Sequence, residues 1–384
     1  MTIDPWAMAE QNPARREALA YNARSFAGDV WFRFSKKPTA LTGMTLVVLM
    51  ALFAVFGPML TPYDYDKQSL SMGNIPPYFA AVSAPEPDRF FYVTANMKVI
   101  ETDGQGRLIR QLTKKTDDFA ASRVSFEYNG ALVYLDYGVN PPVMLDPDGR
   151  PLTAGKRLWN RSYLLGTDHL GRDILTRLMY GTRISLTIAF VAAAVNMVIG
   201  TLYGGISGFL GGRTDAIMMR VVDIISTIPL TLYVILIKVT LSSGLSGIII
   251  ALSSVYWVDM ARVVRGQTLS LREQEFVLAA RTIGTSRRAI LVRHLIPNAM
   301  GPILVTMMML IPSAIFMEAF MSFIGIGIAP PMASLGTMCN DAVEALRANP
   351  YQLFLPALMV CLIMFAFNFV GDGLRDALDP KLRK

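Results

Sequence analysis

The sequence predicts an all-α polytopic membrane protein with six transmembrane helices and a small β-rich extracytoplasmic insert between the first and second. Three observations predict it. Of the 384 residues, 53% are hydrophobic and 17% charged, with a mean hydropathy of +0.40, which is too apolar for a soluble globular chain. Uncharged runs recur at Leu41–Leu60, Ile184–Leu210, Ile224–Ile237, Leu241–Val258, Leu295–Met317 and Ala348–Gly371, most of them close to the roughly 20 residues that cross a hydrocarbon core. The stretch 61–163 breaks this pattern with alternating apolar and polar residues punctuated by glycine turns.

Residues 1–40 form the expected cytoplasmic N-terminal segment, part of it an amphipathic helix on the inner surface, and the first span follows at 41–60. Basic residues mark cytoplasmic loops. Arg15, Arg16, Arg24, Arg33, Lys36 and Lys37 precede that span, Arg213, Arg220 and the cluster from Arg262 to Arg293 share its side, and Lys381, Arg383 and Lys384 fill the tail 381–384. The short opposite loops, Ser242–Ser246 and Gly325–Asn349, carry few charges. Both termini are therefore expected in the cytoplasm and the insert outside. Arg172, Arg177 and Arg183 run against this bias but close a long loop, where the rule has little force. The first apolar run starts too late and is too long for a cleavable signal peptide. In such a chain the net charge of +7 points to anionic lipid head groups and not to nucleic acid.

Within 61–163, Phe90–Thr94 and Met97–Glu101 lead into the turn Asp103–Gly106 and then Arg107–Leu112, while Val124–Tyr128 and Ala131–Leu135 flank Asn129-Gly130. These are strand–turn–strand signals, so a small antiparallel β domain is expected. Asp146–Gly149 reads as a turn, because the remaining ligands and distal Glu of a calcium loop are missing. With only Cys339, Cys361, His169 and His294 available, a Cys/His metal site is not expected. The cysteines, one outside the membrane and one in the last span, are not expected to pair.

The core 164–380 holds the other five spans, the third and fourth lengthened by their flanks to Met218–Leu241 and Gly244–Val264. Gly200, Gly204, Gly208 and Gly212 recur at four-residue intervals and clear one helix face for close packing. Glu318 and Lys238 are ionisable groups within spans, where a charge costs on the order of 3 kcal/mol and marks function by default. Glu318 either faces the translocation path, or pairs with a neighbouring subunit or caps a helix break. Lys238 is expected to snorkel outward. The Asp168-His169 pair has no nucleophile beside it, and no catalytic residue is expected.

In the loop 266–298, Phe276, Ala279, Ala280 and Ile283 fall at i, i+3, i+4 and i+7 on one helix face. The two alanines keep that face low enough for a partner's surface to approach the backbone. Gly284 is expected to end the helix at a positive φ, Thr285-Ser286 to cap a second short helix, and Pro297 to interrupt it at membrane re-entry. Standing alone, such a helix also suits the membrane surface. Glu275, Ala279, Ala280, Arg281, Gly284, His294, Pro297 and Asn298 resemble, in order and spacing, the cytoplasmic Glu-Ala-Ala loop of bacterial ABC importer permeases of the dipeptide, oligopeptide and nickel class. The usual Glu before the alanines is Leu278 here. Leu165–Asp173, Tyr180–Ser185, Met219–Asp223 with Pro229, Glu318–Gly327 and Phe367–Pro380 resemble the C-type subunit of that family. The resemblance covers 41–65 and 164–383 and leaves the insert unmatched.

What the resemblance implies is the type I ABC importer permease fold in a bacterial inner membrane, with this chain forming half of a translocation pathway for di- or oligopeptides. It implies that Glu275, Phe276, Ala279, Ala280, Arg281, Ile283, Gly284 and Pro297 couple the spans to ATPase subunits. A homologous permease would complete a heterodimer, two ABC ATPase subunits would drive it, and an extracytoplasmic solute-binding protein would deliver cargo. No Gly-x4-Gly-Lys-Ser/Thr phosphate loop occurs, so no cofactor is expected on this chain, and ATP and magnesium belong to the partners. Other members carry nickel complexes, glutathione or sugars. A secondary transporter would instead show buried carboxylate pairs or repeated broken spans, and an intramembrane hydrolase would need a nucleophile and base.

Overall fold

The computed structural model describes residues 26–152, 155–241 and 244–378. The expected inner-surface segment before residue 26, Ser242 and Ser243 of the outer loop, and the basic tail 381–384 lie outside the described residues. Helix α1 (Phe26–Ser35) precedes α2 (Pro38–Phe56), which starts with Pro38, whose fixed φ suits a first helical turn. After the insert come α3 (Ile174–Leu210), α4 (Gly212–Thr227), α5 (Leu230–Leu241), α6 (Leu245–Ser253), α7 (Trp257–Leu271), α8 (Glu275–Thr282), α9 (Arg287–Ile290), α10 (Met300–Phe323), α11 (Leu335–Ala342) and α12 (Tyr351–Leu378).

Among the described residues, five stretches are long and apolar enough to cross a membrane, and α4 with α5 makes a sixth only as a pair bent by 87°. The third span is therefore not the continuous Met218–Leu241 helix expected from its run of apolar residues. Pro229 lacks an N–H and pushes the preceding residue out of helical conformation, and Ile228 sits at φ −82° and ψ 127°. The fourth span, Leu245–Leu271, is also interrupted between Ser253 and Trp257. Lys238 does not snorkel either. It is buried, and its Nζ donates to the Gly244 carbonyl at 3.0 Å, an acceptor six residues on that compensates the buried ammonium.

Helix α3 is 37 residues long, about 55 Å at 1.5 Å per residue, so it projects beyond the hydrocarbon. It forms the axis of the membrane core, with Ile188, Ala189 and Ala192 packed against Leu252 and Met260 from the fourth span and Ile311 and Ile315 of α10. Asp173 caps it, accepting from the Thr176 backbone at 2.8 Å and the Thr176 hydroxyl at 2.6 Å. Burial pushes the Asp173 carboxyl up, and the Thr176 hydrogen bonds only partly oppose this. A raised folded-state value means the stabilisation is full below the unfolded carboxylate range and is lost as pH rises through the folded value. Asn caps as well without ionising, so the stability of Asp173→Asn relative to wild type should rise between about pH 4, the free carboxylate range, and pH 8, whereas Asp173→Ala should lose about 1 kcal/mol. Thermal unfolding at both pH values checks this.

The insert comprises nine described strands: β1 (Tyr78–Ser83), β2 (Arg89–Val93), β3 (Val99–Asp103), β4 (Leu108–Gln111), β5 (Thr113–Asp118), β6 (Arg123–Tyr128), β7 (Ala131–Asp136), β8 (Val143–Leu145) and β9 (Gly155–Trp159). All pairings are antiparallel, in the orders β4-β3-β2-β1-β9 and β5-β6-β7-β8. Tyr128 pairs with Ala131 across a two-residue turn in which Asn129 (φ 48°) and Gly130 (φ 84°) are both left-handed, as a type I′ hairpin requires. Phe91 and Val99 of one sheet and Phe126, Val133 and Leu135 of the other share one apolar cluster.

The base of the insert is pinned to the last span. The Tyr351 hydroxyl donates toward the carbonyls of Ile75 and Thr167, each at 3.1 Å, and Gln352 Nε2 donates to Asn74 Oδ1 at 2.9 Å and to the Thr167 carbonyl at 3.0 Å. Thr167 Oγ1 in turn donates to the Met72 carbonyl at 2.6 Å and accepts from Ile75 N at 2.9 Å. The strands leave and return side by side, with Asn160 N donating to the Pro77 carbonyl at 2.9 Å.

Candidate functional site

Helix α8 lies beyond the end of α3 and carries no reactive constellation. Its apolar residues divide between two sides. Val277 and Ala280 are buried against Phe209, Ile290, Leu291 and Leu295, while Phe276, Leu278, Ala279 and Ile283 are exposed, Ile283 at 81%. This corrects the single face expected for Phe276, Ala279, Ala280 and Ile283. Ala280 belongs to the inner side because Val277, three residues earlier, is the anchor that the end of α3 receives.

Arg281 places its guanidinium over the Phe209 ring, 5.7 Å from the centroid, and Arg272 Nη1 donates to the Gly208 carbonyl at 3.1 Å. These groups, with Leu278, Arg287 and Ile290, line a cleft of about 740 Å³. Glu275, in the first turn of α8, is exposed. Gly284 has φ +81°, and the Thr285 N–H reaches back to the Ala280 carbonyl at 3.0 Å, closing the helix in the left-handed manner glycine permits. Ser286, and not Thr285, caps α9, accepting from Ala289 N at 3.3 Å. Pro297 does not halt the chain. It sits in the first turn of a short helix Ile296–Asn298, preceded by a π-helical turn at Leu291–Leu295, so helical turns run almost unbroken from α9 into α10.

The tie between α8 and the membrane core runs through the glycines of α3. A Cβ at Gly200 would lie 2.5 Å from Met260 Cβ, one at Gly204 would collide with the Ala261 carbonyl oxygen, and one at Gly208 would lie 2.8 Å from the Arg265 carbonyl oxygen. Gly212 does not continue this face, since nothing lies within 4 Å of its would-be Cβ and its φ is +54°. It serves the turn from α3 into α4. Below the glycines, Arg265 grips Asp215 through two hydrogen bonds of 2.6 Å. Close packing and this ion pair thus hold α3, α4 and α7 together beside the end of α3 that receives α8.

Glu318 is fully buried. Ser185 donates to its Oε2 at 2.7 Å and Ser322 to its Oε1 at 2.8 Å, while Ser334 donates to Ser322 at 3.3 Å. It joins α3 and α10 to the cap of α11.

At the opposite end of α3 lies a group that residue spacing only half revealed. Asp168 Oδ2 accepts from Arg172 Nε at 2.7 Å and Arg177 Nη1 at 2.5 Å, and both arginines also donate to Asp341 Oδ2, at 3.0 and 3.1 Å. Two arginines and two aspartates neutralise one another there, which is why Arg172 and Arg177 stand outside the charge bias of the loops. Asp168 accepts from both arginine side chains and from the backbone N–H groups of Leu170 and Arg172. The i, i+4 spacing of Asp168 and Arg172 is the local signal for it. Cys339 and Cys361 are free, and the described residues hold no metal-binding group of His, Cys, Asp and Glu.

Residues 200–384 match the family model described as "Binding-protein-dependent transport system inner membrane component", and residues 25–77 match that of the "N-terminal TM domain of oligopeptide transport permease C". An oligopeptide transport system permease protein of Bacillus subtilis (strain 168) is 38% identical over 98% of this chain and 96% of its own length. A dipeptide transport system permease protein of the same organism is 35% identical over 99% of this chain and 94% of its own. A nickel transport system permease protein of Escherichia coli (strain K12) is 39% identical over 63% of this chain and 85% of its own.

Proposed function

Because this chain belongs to the family of binding-protein-dependent transport system inner membrane components, the permeases of ABC importers, we propose that it is one transmembrane subunit of an ATP-driven peptide importer and that α8 couples it to the motor. It forms half of the path in a heterodimer with a homologous permease, embedded in inner-membrane lipid with both termini cytoplasmic. Two ABC ATPase subunits bind ATP and magnesium, and an extracytoplasmic solute-binding protein supplies the solute. The observation that carries the coupling role is α8 itself, with one side locked to the end of α3 and Phe276, Leu278, Ala279 and Ile283 left exposed.

ATP binding closes the two motors, the exposed side of α8 moves with them, and the buried side carries that movement into the spans. Gly284→Val forces a β-branched residue into φ +81°, which costs on the order of 1–3 kcal/mol of local strain and turns α8 relative to α9. The expected outcome is an inserted protein whose peptide uptake falls by about tenfold or more, the size of a 1.4 kcal/mol coupling loss. Uptake and ATPase activity in vesicles containing all subunits measure it, and wild-type uptake by a well-inserted variant would remove the coupling role.

The nickel-transport relative favours a second reading, in which the cargo is a metal complex or another non-peptide solute. Binding assays on the associated receptor separate the two. Broken spans also suit secondary transporters, and here ATP dependence of uptake decides. The insert supports docking of the binding protein or bracing of the partner permease. Excising 78–159 should weaken receptor affinity or uptake, each measured separately, and normal values for both would leave it without such a role.

A further inference from the structure

The other long spans expose mainly apolar side chains, such as Leu49 and Leu52 on α2, Val198 and Leu202 on α3, and Phe354 and Phe365 on α12, with isolated hydroxyls such as Thr42, Thr187 and Ser313 between them. Helix α7 is different. Its exposed positions Asp259, Arg262, Gly266 and Ser270 follow i, i+3, i+7 and i+11, a polar stripe along a membrane-spanning helix. Such a stripe is not stable against lipid and faces water or protein.

Across from it stands the polar side of α4. Arg262 Nη2 donates to Ser226 Oγ at 2.7 Å and to Asp223 Oδ1 at 3.3 Å. The corridor between the two helices ends where span three is broken at Ile228-Pro229, beside the irregular turn Ser254–Tyr256 of span four, in a cavity of about 320 Å³ whose lining includes Ser226, Thr227, Pro229, Tyr256, Asp259 and Arg262. Non-helical backbone at membrane depth is tolerated where it lines a water-filled cavity or is buried in protein. Arg262 is already paired with Asp223. The Asp259 carboxylate has no ion pair or hydrogen bond among the described residues, and it is the uncompensated charge of the cavity wall.

We propose that the corridor between α4 and α7 is this subunit's wall of the aqueous translocation path, and that Asp259 meets the cationic amino end of a peptide moving through it. The second half rests on the peptide reading above. The first does not depend on the cargo.

The test uses the assembled transporter with Cys339 and Cys361 replaced by serine. Single cysteines at Thr227, Asp259 and Ser270 should react with charged methanethiosulfonates roughly tenfold or more faster than cysteines at the lipid-facing Val198 and Leu236, where the charged reagent has no aqueous access. With Asp259 intact, Cys at Thr227 should prefer the cationic reagent, and Asp259→Asn should remove that preference. Equal slow labelling at all five sites would overturn the corridor. For cargo contact, Asp259→Asn should raise the half-saturating concentration for trialanine uptake several-fold, Asp259→Glu should restore it, and receptor affinity should stay unchanged. Equal uptake by Asn and wild type, or no rescue by Glu, would overturn the contact while leaving the labelled wall standing. If the unmodified transporter carries no trialanine, the peptide contact fails together with the peptide reading, whereas the labelling pattern still decides the wall.

Discussion

A valine at Gly204 should leave little assembled permease in the membrane. The added Cβ would overlap the Ala261 carbonyl oxygen, a backbone atom that cannot swing aside as a side-chain end can. Overpacking of a filled site costs typically 1–3 kcal/mol and occasionally more, and here α3 and α7 must separate along their whole contact, so a loss of about 3 kcal/mol is expected. Gly205→Val is the control, because its Cβ would meet only the end of the Leu291 side chain, at 3.3 Å. Size-exclusion profiles and thermal unfolding in detergent should show Gly204→Val aggregated or unfolding far earlier, with Gly205→Val close to wild type. Equal stability of the two would mean that α3 and α7 do not pack through these glycines.

Replacing Arg177 by methionine should be the next most damaging change. Its side chain is 3% exposed and bridges Asp168 to Asp341. Removing one partner of a buried ion network leaves the others uncompensated, at about 3–5 kcal/mol. Asp168 keeps Arg172 and backbone N–H groups of Leu170 and Arg172, which places the expected loss near the lower figure. Asp341 is 31% exposed, so solvent screens its pairs, and Asp341→Asn should cost clearly less than Arg177→Met. The unfolding temperatures of the two variants test this order, and its reversal would show that the network does not hold the outer end of α3.

The spans were legible because a bilayer demands long apolar runs, and the insert was legible because turns such as Asn129-Gly130 declare hairpins locally. What was not legible depends on contacts far apart in the chain. Pro229 is visible in the sequence, yet the size of the bend it causes is set by how α5 packs afterwards. Asp168 and Arg172 stand four residues apart, but Asp341 is 169 residues beyond Arg172, and no local pattern joins them. Periodicity placed Ala280 with Phe276 and Ile283, because three residues on an eight-residue helix and one at its C-cap do not show which side the end of α3 will take. The run of apolar residues sets the inner end of the fourth span at Val264, shortly after Asp259. The helix instead continues to Leu271, and the neighbouring Arg262 is held by Asp223.

The adjacency of Pro77 and Asn160 has a practical corollary. Because Tyr78 pairs with Trp159, the two cut ends left by excising the strands lie only about 5 Å apart, a gap that a short glycine linker bridges without pulling on either flank. The seam formed by Met72, Asn74, Ile75 and Thr167 with the head of α12 lies wholly outside the removed piece. The polar fastening of the bundle thus survives the cut, and any fold spliced onto the same stump must also cover Ile75 and Met72, which pack against Phe79, Ile100 and Leu158 of the strands.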